Sequence, residues 1–327
     1  MEYRALGRTG MRVSVLGLGC GGFGGIGSAS DLFGKGEDKQ TAFALMNHAW
    51  DAGINYFDTA DSYGGGASER MIGAWLAGRK VRDRLILSTK VLYALGEGPQ
   101  DRSLSRRHLM AAVDGSLRRL QTDHIDLYVT MEPDPTTPIE ETLQTMNDLM
   151  QAGKVRHIGA SNITASQLRD SLAASDRMGI HRYQSVQNGY SLLDRAIEDE
   201  LLPLAAKERI AVTPFSPAAG GLLTGKYSFG DRPPRGSRID LRPEPYRHLM
   251  SPATFQAIDA LRATAAERGV DMSTLALAWV ISHPVVTSAL IGPRSVEQFR
   301  PWLEAVEIHL TKDERETVAS RMEAAVV

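Results

Sequence analysis

Two stretches decide how this chain is read: Asn55-Tyr56-Phe57-Asp58-Thr59-Ala60-Asp61-Ser62-Tyr63-Gly64 and Leu85-Ile86-Leu87-Ser88-Thr89-Lys90. Each is a strand-like apolar run that ends in a polar residue with chemical use. Ile54 to Phe57 leads into Asp58, with Tyr63 in the loop beyond, and Leu85 to Leu87 leads towards Lys90. A lysine ammonium held by a carboxylate lowers the pKa of a nearby phenol. The pattern therefore predicts a Tyr63 hydroxyl able to pass protons near neutrality. Taken singly, Tyr63 reads as a surface turn, Asp58 as a cap and Lys90 as a solvated charge. Their coincidence at neighbouring strand ends favours a site instead.

On either side of these stretches, short strand-like runs alternate with longer helix-like ones. The expected strands lie at 13–18, 54–58, 84–89, 125–130, 155–160, 183–187, 210–214 and 287–291. Helical periodicity falls near 39–52, 67–78, 106–120, 139–152, 164–178, 194–207 and 253–283. The last is expected to break at Arg268-Gly269-Val270-Asp271, with Ser273 as N-cap and Pro284 as stop. Most strands are continuous apolar runs, as in sheets buried on both faces. Eight alternations predict an α/β chain folded as a (β/α)8 TIM barrel, one domain over residues 1–327. Before it, Tyr3 to Leu6, the turn Gly7-Arg8-Thr9-Gly10 and Val13 to Leu16 form an expected N-terminal β-hairpin. A long irregular stretch, 217–252, rich in Gly, Pro and Arg, follows the seventh strand and reads as a lid or as a plain surface loop.

Composition bounds the function. With 327 residues and 43% hydrophobic content the chain builds a large core. A formal net charge of −2 gives no electrostatic case for nucleic acid or an anionic membrane. One cysteine, Cys20, excludes an internal disulfide framework and a cysteine-rich metal site, so no metal is expected. The first residues, Met1-Glu2-Tyr3-Arg4, lack the apolar run of a signal peptide, and the expected location is cytoplasmic. Gly17-Leu18-Gly19-Cys20-Gly21-Gly22 matches G-x-G-x-x-G after a strand, as does Gly22 to Gly27. A dinucleotide fingerprint must open directly into a helix. In this chain an irregular stretch through Asp31 to Gly36 intervenes, so a first βα loop is the better reading.

Asp58, Tyr63 and Lys90, with their spacing, resemble the aldo-keto reductase family. The resemblance covers essentially the whole chain and implies a barrel that binds a nicotinamide cofactor without a Rossmann unit. It implies that Tyr63 donates a proton to a carbonyl oxygen, that Lys90 tunes it and that Asp58 pairs with Lys90. Glu69 reads as structural, an acid near a helix start. Relatives usually show Asp-Leu-Tyr, two residues, His, one residue, Pro. In this sequence Asp126-Leu127-Tyr128 is followed by Val129-Thr130-Met131-Glu132-Pro133, so Met131 takes the histidine position. A thioether donates no hydrogen bond to a substrate oxygen. Losing one such donor typically costs about 2.7–4 kcal/mol. Three readings stay open: a substrate oriented by other groups, a cofactor-binding sensor or regulatory protein with little turnover, or an engineered change that traps substrate.

The resemblance extends to the cofactor side. It implies that Ser161, Asn162 and Gln187 hold the nicotinamide carboxamide, and that Phe215 stacks on the ring. Ser216, Pro217, Ala218 and Gly220, continuing to Leu222, Gly225 and Lys226, would line the pyrophosphate. Gly292, Arg294 and Gln298 belong to the segment that grips the adenosine end. Arg294, with Ser295, could pair with a 2′-phosphate, which favours NADPH while leaving NADH open. Trp302 replaces the asparagine that often reaches the adenine, and either stacks there or packs. Gly22 and Phe23 border the cofactor, with Phe23 and Met131 facing a small-molecule substrate. Loops near 23–36, 92–103 and 217–252 would shape that pocket.

Overall fold

The computed structural model describes residues 1–93 and 102–326. Of the loop expected at 92–103 to shape the pocket, residues 94–101 lie outside the described residues. Ten strands occur among the described residues: β1 (Tyr3–Ala5), β2 (Arg12–Ser14), β3 (Leu16–Gly19), β4 (Tyr56–Asp58), β5 (Ile86–Val91), β6 (Ile125–Thr130), β7 (Val155–Ser161), β8 (Ser185–Gln187), β9 (Ala211–Val212) and β10 (Ala289–Ile291). The helices are α1 (Lys39–Asp51), α2 (Ala67–Arg79), α3 (Arg106–Leu120), α4 (Ile139–Gln151), α5 (Ala165–Met178), α6 (Leu201–Glu208), α7 (Arg238–Leu241), α8 (Pro252–Glu267), α9 (Met272–Ile281), α10 (Phe299–Glu304) and α11 (Lys312–Ala324).

Eight strands form one all-parallel sheet in the order β10-β3-β4-β5-β6-β7-β8-β9. Its two ends meet: Thr287 N donates to Val212 O at 2.7 Å and Leu290 N to Pro214 O at 2.8 Å, closing the (β/α)8 barrel. Strand alternation then sorts side chains. Tyr56, Leu127, Val129, Ala211 and Leu290 cluster inside, while Phe57, Leu87 and Tyr128 join the outer core under the helices. The β1–β2 hairpin adds Leu6 and Val13 to the inner cluster and so plugs the N-terminal end. Gly7 makes this possible. At φ +58° it lies so close to the barrel that an added Cβ would sit 2.5 Å from Gln184 O. The interior is filled from below, and chemistry is left to the C-terminal ends of the strands.

Several boundaries differ from the sequence expectation, each for a local reason. The run at 13–18 divides because Val15 N turns away to bond Glu2 O at 2.9 Å, leaving β2 in the hairpin and β3 in the barrel. The strand at 210–214 is cut to Ala211–Val212, since Pro214 has no N–H for a ladder. The helix expected from 194 starts at Leu201; Ser191 and Asp194 first close a turn with reciprocal backbone bonds of 3.0 and 3.1 Å. Ser273 is not the N-cap of α9. Asp271 takes that place and Ser273 lies inside the helix. The stretch 217–252 is not structureless: it contains 3-10 turns at Ala219–Thr224 and Glu244–Leu249 and the short α7. Among the described residues no helix is long and apolar enough to cross a membrane.

Candidate active site

Asp58 ends β4 with the same inward parity as Tyr56, and Lys90 lies on β5 with the parity of inward-packed Ile86. Both are buried, and Lys90 Nζ donates to Asp58 Oδ1. The other carboxylate oxygen is also engaged, since Gln187 Nε2 at the end of β8 donates to Asp58 Oδ2 at 3.0 Å. Burial by itself lowers the Lys90 pKa. The Asp58 carboxylate, with Tyr63, reverses this and holds the ammonium above its ordinary pKa. Lys90 Nζ stands 5.2 Å from the centroid of the Tyr63 ring, which is seated by a backbone bond from Tyr63 N to Ala60 O. A cation, its two-pronged anchor and a phenol thus converge at the barrel mouth.

The electrostatics correct one expectation. Lys90 does pull the Tyr63 phenol down, but burial pushes it up more strongly and the Asp58 charge adds to that, so its pKa lies above the ordinary value. Tyr63 is therefore a phenol that keeps its proton at neutrality, with Lys90 limiting how far burial can raise its pKa.

Met131 directly follows β6. Val129 pairs with Lys90 across the sheet, so two residues on Met131 has the inward parity at the mouth, and it is only 6% exposed. Its backbone is tied on both sides. Met131 N donates to Val91 O at 2.9 Å, and Met131 O accepts from Asn162 Nδ2 at 2.8 Å. Glu132 turns outward to pair with Arg102 at 2.6 Å and cannot stand in as an inward donor.

Ser161, Asn162 and Gln187 do lie together, in register at the ends of β7 and β8. Ser161 Oγ donates to Gln187 O at 2.7 Å, and Asn162 takes the left-handed φ of +53° that asparagine tolerates. Gln187, expected only on the cofactor side, is thus also part of the Asp58 anchor. Phe215 is half-buried, bridged to Gly189 and Leu290. After it the backbone coils through positive φ at Ser216, Ala219, Gly220 and Gly221, with Pro217 and Ala218 between. Lys226 lies against this coil, its ammonium held below the ordinary pKa by burial and then by the Arg294 and Arg238 charges. Gly22 bonds Glu37 through its carbonyl, while Phe23, at 1% exposure, is packed into the core. Beyond β10 and Gly292, Arg294 N is fixed by Gln298 Oε1 at 2.9 Å. Trp302 packs against the core.

Three acids gain roles that spacing does not reveal. Glu69 is structural, though through contacts rather than a helix dipole: fully buried, it accepts from Thr89 Oγ1 at 2.6 Å and Arg119 Nε at 2.7 Å. Asp61, within the first quoted motif, is buried with neither carboxylate oxygen hydrogen-bonded among the described residues. Burial and the Glu69 charge push it well above the usual carboxylate range, towards its neutral form. Glu37 pairs with Arg294 across 257 positions, a separation that leaves no trace in local sequence.

The model of the Aldo/keto reductase family matches residues 15–323. The chain is 39% identical over 323 residues to "Uncharacterized oxidoreductase YrpG" of Bacillus subtilis (strain 168), covering 96% of this chain and 93% of that protein. It is 32% identical over 330 residues to "Aldo-keto reductase YhdN" of the same organism, covering 100% and 95%. The chain belongs to the aldo/keto reductase family. A further relative is "Probable voltage-gated potassium channel subunit beta" of Oryza sativa subsp. japonica, 35% identical over 316 residues, covering 94% and 92%.

As an aldo/keto reductase the protein is an NAD(P)H-dependent oxidoreductase. The residues at the mouth fit such a cofactor. The half-buried Phe215 would offer a ring platform, and the coil at 216–221, with positive φ at four of its residues, would turn backbone N–H groups towards a pyrophosphate. Lys226 feels the charges of both Arg238 and Arg294, so cations gather at this rim, with the Glu37 and Asp240 carboxylates among them.

Proposed function

We propose that the protein interconverts a small aldehyde or ketone and its alcohol with NADPH, and that Tyr63 is the proton donor. The observation that carries this is the buried Asp58–Lys90 ion pair beside Tyr63 at the C-terminal mouth of the barrel. When bound, the nicotinamide ring supplies or accepts the hydride. The protein's own part is to deliver a proton to the carbonyl oxygen and to hold the developing charge. Tyr63 keeps its proton at neutral pH and gives it up beside a fixed cation, so the emerging phenolate is stabilised by Lys90. Asp58 keeps Lys90 charged and in place, and Gln187 fixes Asp58 from its second oxygen. Ser161, Asn162 and Phe215 are assigned to the nicotinamide, Ser216 to Gly220 to the pyrophosphate, and Arg294 to the 2′-phosphate, which selects NADPH over NADH.

Met131 qualifies the strength of this machinery. We read it as occupying the place of a histidine that would donate a second hydrogen bond to the substrate oxygen, a bond a thioether cannot give. Replacing it restores the donor: Met131→His should raise turnover of simple aldehydes by about 10²–10³. The test is steady-state oxidation of NADPH by a panel of aldehydes and ketones with both proteins. No gain on any substrate would remove the missing-donor reading.

A second reading is a nicotinamide-binding regulatory protein with little turnover. Met131 supports it, as do relatives named as potassium channel subunits. The intact Asp58–Lys90–Gln187 anchor supports the enzyme instead, because a pure binder has no use for a phenol set beside a buried cation. Tight NADPH binding without oxidation by any carbonyl would decide for the regulatory protein.

A further inference from the structure

The Arg294 guanidinium joins three segments that are far apart in the chain. Its Nε donates to Glu37 Oε1 at 2.6 Å, and its Nη1 donates to the carbonyl of Gly236. Glu37 belongs to the first βα loop, Gly236 to the long loop after β9, and Arg294 to the segment after β10. The carboxylate is deeply set. Its side chain is 4% exposed, and its Oε2 lies so near Gly22 that a Cβ there would come within 1.9 Å. Glu37 is bonded to the glycine loop through its backbone as well, from its N to Gly22 O and from Gly24 N to its O, both 2.8 Å. Gly236 is anchored in turn by its N–H to Asp240 Oδ2 at 2.8 Å.

Two donors of the guanidinium are thus committed to the protein, and the buried Glu37 carboxyl sits against the cation assigned to the 2′-phosphate. An anion arriving there meets a charge already neutralised in part. We propose that Glu37 is a specificity-determining residue: it competes with the 2′-phosphate for Arg294, restrains the preference for NADPH over NADH, and latches the three segments while the phosphate is absent. The proposal rests on the assignment of Arg294 to the 2′-phosphate.

The experiment is a titration of protein fluorescence with NADPH and with NADH, giving Kd for wild type, Glu37→Gln and Arg294→Gln, independently of turnover. Glu37→Gln should tighten NADPH by about tenfold and leave NADH within about twofold, since one opposing charge is removed at one end of the cofactor only. Arg294→Gln should weaken NADPH selectively. If Arg294→Gln weakens both cofactors equally or neither, the 2′-phosphate assignment itself fails. If Arg294→Gln is selective but Glu37→Gln weakens NADPH or leaves it unchanged, the assignment stands and competition is wrong, with Glu37 merely positioning the arginine. Should Glu37→Gln fold poorly by thermal melting, Glu37→Asp serves. Its shorter carboxylate loosens the pair and should shift the NADPH:NADH ratio in the same direction by a smaller factor, and no shift would overturn the proposal.

Discussion

The array at the ends of β4, β5 and β8 and the rim around Arg294 are both charged, yet they are built on opposite plans. In the array every heavy constraint comes from strands: Asp58, Lys90 and Gln187 are buried, sit in fixed register and satisfy one another. At the rim the partners come from three loops, and Arg294 remains about a third exposed. Strands fix geometry to fractions of an ångström because each residue is bound to two neighbours, whereas loops can trade one partner for another. The difference teaches a division of labour. On the function proposed above, the proton chemistry is set by the sheet, and cofactor choice is left to groups that can exchange ligands.

Substitutions can break the comparison. The largest effect on stability is expected at Asp58. Asp58→Asn leaves a buried ammonium without its counter-charge and should cost about 3–5 kcal/mol in urea unfolding. Asp61→Asn, three residues away and equally buried, should cost less than about 1 kcal/mol, because Asp61 forms no ion pair like that of Asp58 and already leans to its neutral form. Equal losses at both positions would mean that burial, not pairing, distinguishes the array.

Proton chemistry sharpens the contrast next. Because Tyr63 lies above its ordinary pKa, carbonyl reduction, which needs the phenol protonated, should stay flat up to about pH 10. Alcohol oxidation, which needs a proton acceptor there, should climb with pH over the same range. Lys90→Met removes the cation that opposes burial and should push the rise in oxidation to still higher pH. An oxidation profile that levels off near neutrality would contradict an upward shift of the phenol.

A titrating group outside both regions acts on stability alone. Burial, with Arg315 nearby, lowers the His283 pKa to about 4, and its Nδ1 accepts from Val285 N at 3.2 Å, which requires the unprotonated nitrogen. The unfolded chain, with a histidine near pKa 6.5, binds the proton first. This residue's share of stability is thus present above about pH 6.5 and lost as pH falls towards about 4. His283→Gln should flatten that part of a stability-versus-pH curve measured by denaturant unfolding, leaving the rates at neutral pH unchanged.

The fold is legible in sequence because a barrel of continuous apolar strands and periodic helices is a local pattern. The helix expected at 106–120 coincides with α3, and the break in 253–283 is marked by Arg268-Gly269. Asp58, Lys90 and Tyr63 are legible for the same reason, as each ends or follows a strand. What is not legible is non-local. No spacing rule connects Gln187 to Asp58 across 129 positions, or Glu37 to Arg294. The sign of the Tyr63 shift also escapes motif reasoning, which counts the charge of Lys90 and not the burial that opposes it.

The most direct test is single-turnover oxidation of NADPH by aldehydes with wild type and Tyr63→Phe, with NADPH affinity measured alongside. Loss of the general acid should slow the step by about 10²–10⁴ while cofactor affinity and thermal stability stay the same. Equal rates in the two proteins on substrates that wild type turns over would contradict the assignment of Tyr63 and, with it, the function proposed for this site.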